Sequence, residues 1–264
     1  MSHQRRKRLL KLLAEHQATS VEQLVGWLNA SPATVRRDLA WLAEHSMLER
    51  TRGGARILSS RHQDVPLASD TFQANFQCST TRKRAIARYA ASMCADGETI
   101  IINGGTTTFM MAEFLTNSHL KILTNSFLMA ERLVSSSENE VVVPGGKVYR
   151  EQNVILSPFD NDITQHHYAG KMFMGIYGIS QLGLMEADPL LVQAETRLIG
   201  QAEQLVVLAD SSKFARAAGL VLCSLERVST MITDDGIPDR SAQLLERHGV
   251  HLIVTTPDDP VRRH

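Results

Sequence analysis

Cysteine is scarce in this 264-residue chain, and the three present, Cys78, Cys94 and Cys223, lie far apart with no Cys-x-x-Cys pair. That argues against a disulfide framework and against a zinc site built on paired thiolates, and it suits a reducing cytoplasm. Long hydrophobic runs are missing too: none approaches the roughly 18 uninterrupted apolar residues of a membrane helix, so no membrane partner is expected. The basic stretch from Met1 to Arg8 is not followed by the apolar core of a secretory signal, which again points to the cytoplasm. Net charge is absent as well, with 28 Lys and Arg against 28 Asp and Glu. What remains is a globular composition, 43% hydrophobic and 21% charged, long enough for a small domain plus one of ordinary size.

The zero balance hides an asymmetry. Residues 1–60 hold ten Lys and Arg against five Asp and Glu, and the remainder holds 18 against 23. A basic head on an acidic body suggests that the head meets a polyanion.

Three helical patterns fill the head. Leu9, Leu10, Leu12 and Leu13 form the apolar side of the first, from about His3 to His16, with Arg5, Arg6, Lys7, Arg8 and Lys11 around it. Ser20 with Gln23 reads as a capping box for the second, followed by Val21, Leu24, Val25 and Leu28. Ser31 is an N-cap candidate for the third and Pro32 suits its first helical position. Val35, Leu39 and Leu42 then make its buried stripe. Two short helices joined around Asn29 and Ala30 predict a helix-turn-helix. Ser31, Ala33, Thr34, Arg36 and Arg37 would occupy the face that meets DNA, since the start of the second helix of such motifs approaches base edges. Arginine forks pair with guanine or with phosphate, and the sequence leaves open which arginine does which. The run from Met47 to Ile57, with Gly53-Gly54 as its turn, predicts a hairpin. With Arg50, Arg52 and Arg56 about the turn, it reads as a wing against DNA. Arg5 joins the predicted DNA contacts.

The run Ser31-Pro32-Ala33-Thr34-Val35-Arg36-Arg37-Asp38-Leu39, then Leu42 and Arg52-Gly53-Gly54-Ala55, resembles the DNA-binding head of the DeoR family of bacterial sugar-metabolism regulators. The resemblance implies an oligomer that binds double-stranded operator DNA. It also implies a structural role for Asp38, paired with a neighbouring arginine.

Residues 59–75 show no sustained period and are expected to link a head of residues 1–58 to a body of residues 76–258. In the body a helical pattern from Ser79 places Ile86, Tyr89, Ala90 and Met93 on one side. Strands are expected at Glu98 to Ile102, Leu120 to Leu123, Val141 to Val143, Met172 to Ile176, Leu205 to Ala209 and His251 to Val254. Helices at Thr107 to Leu115, Phe127 to Val134 and Leu190 to Glu203 fall between them. This alternation predicts an α/β body with a mainly parallel sheet, whose ligands bind outside the carboxyl ends of the strands. Four turns fall at such ends: Asn103-Gly104-Gly105-Thr106-Thr107-Thr108, Thr124-Asn125-Ser126, Pro144-Gly145-Gly146-Lys147 and Asp210-Ser211-Ser212-Lys213-Phe214. Together they read as a pocket for phosphate and hydroxyl groups. None is a P-loop or a dinucleotide fingerprint, so no cofactor is expected.

These turns are similar to the sensor domain of the DeoR family, related in fold to ribose-5-phosphate isomerase. The resemblance implies an effector site of Lys83, Gly104, Gly105, Thr106, Thr107, Thr108, Asn125, Gly145, Gly146 and Lys213. It implies a phosphorylated sugar or sugar acid as effector, and repression of a carbohydrate operon. Leu156-Ser157-Pro158 and Tyr168-Ala169-Gly170 are similar to the ascorbate-utilisation repressor branch. One departure is Gly175-Ile176-Tyr177-Gly178-Ile179, where the family often has Gly-Ala-Asp-Gly-Ile; Tyr177 supplies no carboxylate.

Three rival readings follow from the same residues. A sugar-phosphate isomerase with a DNA-binding appendage would need a general base, and Tyr177 removes one candidate while Glu195 and Asp210 remain. Turnover of pentose phosphates would distinguish it. A metal site on His166-His167 is disfavoured because adjacent side chains diverge along a helix, so neither catalytic residues nor a metal are expected. A body serving only oligomerisation would not need polar turns gathered at one sheet edge.

Overall fold

The computed structural model describes residues 5–6, 9, 12–13, 19–28, 30–44, 48–51, 54–57, 70–116, 119–159, 161–216 and 218–257. The chain divides into two compact units, Met1–Pro66 and Leu67–His264.

In the smaller unit Arg5, Arg6, Leu9, Leu12 and Leu13 are helical. They are followed by β1 (Thr19–Ser20), α1 (Val21–Leu28), α2 (Pro32–Glu44), β2 (Leu48–Thr51) and β3 (Gly54–Ile57). The capping box forms as expected: Ser20 N–H donates to Gln23 Oε1 at 3.0 Å and Gln23 N–H to Ser20 Oγ at 3.3 Å. At the next helix Thr34 N–H donates to Ser31 Oγ at 3.3 Å. Each cap closes the N-terminus of its helix, and only residues 29–31 separate α1 from α2. Leu9, Leu13, Leu24, Val35, Leu39 and Leu42 interlock as one buried cluster. β2 pairs antiparallel with β3 from Leu48↔Ile57 to Thr51↔Gly54, and β1 pairs with β3 along its other edge. This is a winged helix-turn-helix.

The larger unit opens with α3 (Asp70–Gln77) and α4 (Thr80–Ser92), joined through Ser79 at φ 54° in the left-handed region. The expected linker therefore ends sooner than predicted, because its last residues are helical. Only two aromatics mark α3. They count because Phe72 and Phe76 pack on Phe109, with ring centroids 5.7 and 5.9 Å from it.

A seven-stranded sheet follows. Its strands are β4 (Thr99–Ile102), β5 (Lys121–Thr124), β6 (Glu140–Val142), β9 (Ala169–Gly175), β12 (Ala202–Leu208), β14 (Val228–Asp234) and β15 (His251–Thr255). The order is β15-β14-β12-β9-β4-β5-β6, with every pairing parallel. Successive side chains on a strand point to opposite faces. Ile101, Met172, Met174, Leu205, Val207 and Met231 therefore enter one apolar cluster, and Ile100, Ile102, Phe173, Val206, Leu208 and Ile232 enter the other. The first face is covered by α7 (Pro189–Ile199) and α8 (Asp239–Arg247), through Leu198, Ile199 and Leu245. The second is covered by α4 and α6 (Phe127–Ser136), through Ile86, Ala87, Ala90, Met129 and Leu133. Between β4 and β5, α5 (Thr106–Phe109) runs into a 3₁₀ turn at Met110–Glu113.

Two expectations need correction. The helix predicted to reach Glu203 stops at Ile199, and Ala202 and Glu203 already belong to β12. The turn at Pro144 to Lys147, expected to help form the phosphate and hydroxyl pocket, leads into a hairpin of β7 (Lys147–Tyr149) and β8 (Val154–Leu156). A second small sheet, β10 (Gly178–Ser180), β11 (Gly183–Glu186) and β13 (Leu220–Cys223), is antiparallel.

Candidate functional site

In the smaller unit α2 buries Val35, Leu39 and Leu42 and leaves Ser31, Pro32, Ala33, Arg36 and Arg37 exposed, with Thr34 half-buried. Asp38 also points inward, at 2% exposure. Arg5 Nε donates to one of its oxygens at 2.5 Å and Arg6 Nε to the other at 3.0 Å. Burial raises the Asp38 pKa, but the two guanidinium hydrogen bonds outweigh it and hold the carboxyl below its usual range. Arg6 also lies over the Trp41 ring, 4.0 Å from its centroid. Asp38 therefore braces the N-terminal helical residues against α2, and Arg5 is engaged in that brace. Arg50 lies on β2, and Arg52 falls outside the described residues.

In the larger unit the central strands β4, β9 and β12 end at a cavity of about 150 Å³. Gly104, Gly105, Thr106 and Thr107 line it after β4, Gly175, Ile176 and Tyr177 after β9, and Lys213 and Arg216 after β12. Glu186, Leu191 and Glu195 close another side, and Phe72 and Asn75 of α3 complete it with Gln152.

One asparagine organises the floor. Asn103 Oδ1 accepts from Gly175 N–H at 2.8 Å, and its Nδ2 donates to Gly175 O at 3.1 Å and to Glu195 Oε1 at 2.7 Å. It thereby fastens the ends of β4 and β9 to each other and to α7. The glycine loop is held from behind, where Gly104 N–H donates to Asn125 Oδ1 at 2.9 Å. A side chain at Gly104 would run into Val154, so the loop can lie this close only without one.

Lys213 sits in a 3₁₀ turn, Ser211–Ala215, capped by Asp210, which accepts from Ser212 N–H at 3.1 Å. Asp234 anchors the same turn, accepting from Ser211 N–H at 2.6 Å and pairing with Arg82 at 3.3 Å. Burial, then the neighbouring Arg216 charge, brings the Lys213 ammonium down to a pKa of about 8. Arg216 lies over the Tyr177 ring, 5.6 Å from its centroid.

The carboxyls behave oppositely. Glu195 is 4% exposed, and burial followed by the nearby Glu186 raises its pKa well above the usual range, although the Asn103 bond pulls the other way. Burial likewise raises Glu186.

Of the ten predicted effector residues, Gly104, Gly105, Thr106, Thr107 and Lys213 line the cavity. Lys83 and Thr108 stand behind it. Lys83 is 3% exposed and its Nζ donates to Asn75 O at 2.5 Å, while Thr108 Oγ1 bonds Asn103 O and Gly105 O at 3.0 Å each. Asn125 supports the loop and faces a separate cavity of about 20 Å³. Gly145 and Gly146 do not line the cavity. They lie in the turn that leads into the hairpin, where a side chain at Gly146 would strike the Leu156 backbone. Sequence reasoning missed Phe72, Asn75, Gln152, Glu186 and Arg216. The excess of Lys and Arg over neighbouring acids around Lys213 was the available signal for Arg216; nothing local marks the others. Among the described residues no group of three or more His, Cys, Asp or Glu stands close enough to hold a metal ion, and no helix is long and apolar enough to cross a membrane.

Residues 5–61 match the DeoR-like helix-turn-helix domain and residues 79–235 the DeoR C terminal sensor domain. The HTH-type transcriptional regulator UlaR of Shigella dysenteriae is 31% identical over 253 residues, 95% of this chain and 98% of its own, and that of Escherichia coli is equally similar. Ribose 5-phosphate isomerase A of Methanocaldococcus jannaschii overlays half of each chain, 50% of this one and 53% of its own, at 19% identity and a TM-score of 0.36. With both of its domains matched and its relatives aligned almost end to end, the chain belongs to the DeoR family of DNA-binding, HTH-type transcriptional regulators.

Proposed function

We propose that this regulator is a cytoplasmic repressor of a carbohydrate or sugar-acid operon, and that the cavity at the ends of β4, β9 and β12 binds a phosphorylated sugar or sugar acid that changes operator affinity. The observation carrying this reading is the composition of the cavity. The glycine-threonine loop from Gly104 to Thr107, together with Lys213 and Arg216, favours an anion, and Glu186 and Glu195 in the same cavity suit hydroxyl-rich matter. The curated relatives are named as regulators, which favours this over the isomerase reading.

The wall formed by α3 suggests how the signal leaves the site. Phe72 and Asn75 line the cavity, and α3 is the first helix of the larger unit among the described residues. A ligand that touches these residues in one arrangement of the chain and not in another shifts the balance between the two. In the head, Ser31, Ala33 and Thr34 are assigned to base edges. Arg36 and Arg37 take bases or phosphates, and Arg50 and Arg52 of the wing take the backbone. Oligomerisation would present two heads to paired half-sites. Sedimentation equilibrium of the full chain tests that point, a single monomeric species speaking against it.

Fluorescence anisotropy tests the whole. DNA from upstream of the gene and its neighbouring operons is titrated with the protein, with and without a panel of sugar phosphates and phosphorylated sugar acids. Salt-sensitive, site-specific binding that one compound shifts is expected. Specific binding unaffected by every compound would remove the sensor half of the reading.

A further inference from the structure

The carboxyl side of the cavity holds an imbalance that its protein neighbours do not correct. Glu195 lines the cavity and is 4% exposed. Its Oε1 accepts from Asn103 Nδ2 at 2.7 Å, while its Oε2 is buried with no hydrogen-bond partner. Asn103 cannot be turned around to help. Its Oδ1 already accepts from Gly175 N–H, and its Nδ2 already serves both Gly175 O and Glu195. Glu186 lines the same cavity, so an anionic Glu195 would face a second carboxyl in a poorly solvated place. The cations Lys213 and Arg216 come from the turn after β12, whereas Glu195 is fastened by Asn103 to the floor beneath β4 and β9.

We propose that Glu195 determines effector specificity: its unpartnered oxygen carries a proton and donates it to an uncharged oxygen of the ligand, a hydroxyl or a carbonyl. This rests on the sensor reading above and narrows it. The cavity then selects a molecule with two ends, an anion for the glycine-threonine loop, Lys213 and Arg216, and a neutral oxygen for Glu195. An anion alone satisfies half the site and leaves the buried donor unpaired. An acid at this position acts like an amide, accepting from Asn103 with one atom and donating with the other.

That equivalence supplies the test. The full-length wild type, Glu195→Gln and Glu195→Leu are titrated calorimetrically with inorganic phosphate and with ribose phosphate, glucose phosphate and phosphogluconate. For the sugar phosphate that binds wild type most tightly, Glu195→Gln is expected within about threefold of wild type and Glu195→Leu weaker by about tenfold or more, the loss of one hydrogen bond to a buried group. Inorganic phosphate is expected to bind all three alike. Equal sugar-phosphate affinity in Glu195→Leu overturns the proposal, as does a loss in Glu195→Gln as large as that in Glu195→Leu. If Glu195→Leu loses phosphate as well, its cavity has collapsed and Glu195→Gln alone decides, retention supporting the proposal and loss overturning it. A wild type that binds no sugar phosphate fails the sensor reading itself, and this inference with it.

Discussion

Buried Glu195 and half-buried Lys213 each contribute to the pH response of the larger unit, and their signs differ. Glu195 has a folded pKa raised above its ordinary 4.5, so the native state binds a proton that the unfolded chain releases. Its favourable contribution is complete below about 4.5 and is lost as pH climbs toward the folded value. Glu195→Gln carries no such titration. Its urea midpoint should match wild type near pH 4 and exceed it increasingly above pH 5; a constant difference across that range would show that Glu195 is not held neutral. Lys213 is depressed instead, to about 8. Its charge attracts an anion only while protonated, so sugar-phosphate affinity should fall about tenfold between pH 7 and pH 9. Calorimetry across that range checks it, and Lys213→Arg, which stays charged, should flatten the profile.

Among the elements, the head was the most legible in the sequence because its signals are local. Ser20 and Gln23 lie three residues apart and bond reciprocally, and Ser31 caps the helix it precedes. Replacing Ser20 by Ala should cost about 1 kcal/mol of stability, measured by denaturant unfolding. On the opposite face, Arg36→Ala and Arg37→Ala should each weaken operator binding and, where the lost contact is to phosphate, lower the salt slope by about one. Circular dichroism should stay unchanged, since both side chains are exposed. The body was legible in its buried strands and illegible where structure depends on distant partners. β14 escaped notice although it lies inside the sheet, because Val228–Asp234 mixes Ser, Thr and Asp with its apolar residues. α3 escaped because its two phenylalanines gain their meaning from Phe109. Five of the ten residues predicted to bind an effector line the cavity at strand ends. Asn75, Glu186 and Arg216 reach the cavity only through tertiary folding, and Gly145-Gly146 lie in the turn before a hairpin.

For the molecule as a whole, two units with separate apolar clusters should respond separately to ligand. A sugar phosphate at a hundred times its dissociation constant adds about 2.7 kcal/mol to the unit that binds it. Calorimetric scanning should therefore show the transition of the larger unit moving while that of the head stays in place. Joint movement would mean that the two unfold as one. The α3 wall carries a further consequence. Phe72 and Asn75 belong to the cavity, and Asn75 also holds Lys83, whose charge is felt by Lys213 and itself feels Arg216, so α3 adjoins the cations of the site. A bound anion is then within reach of the α3 wall, so inorganic phosphate that competes with a sugar phosphate for the cavity should itself shift DNA affinity, which anisotropy with phosphate alone checks.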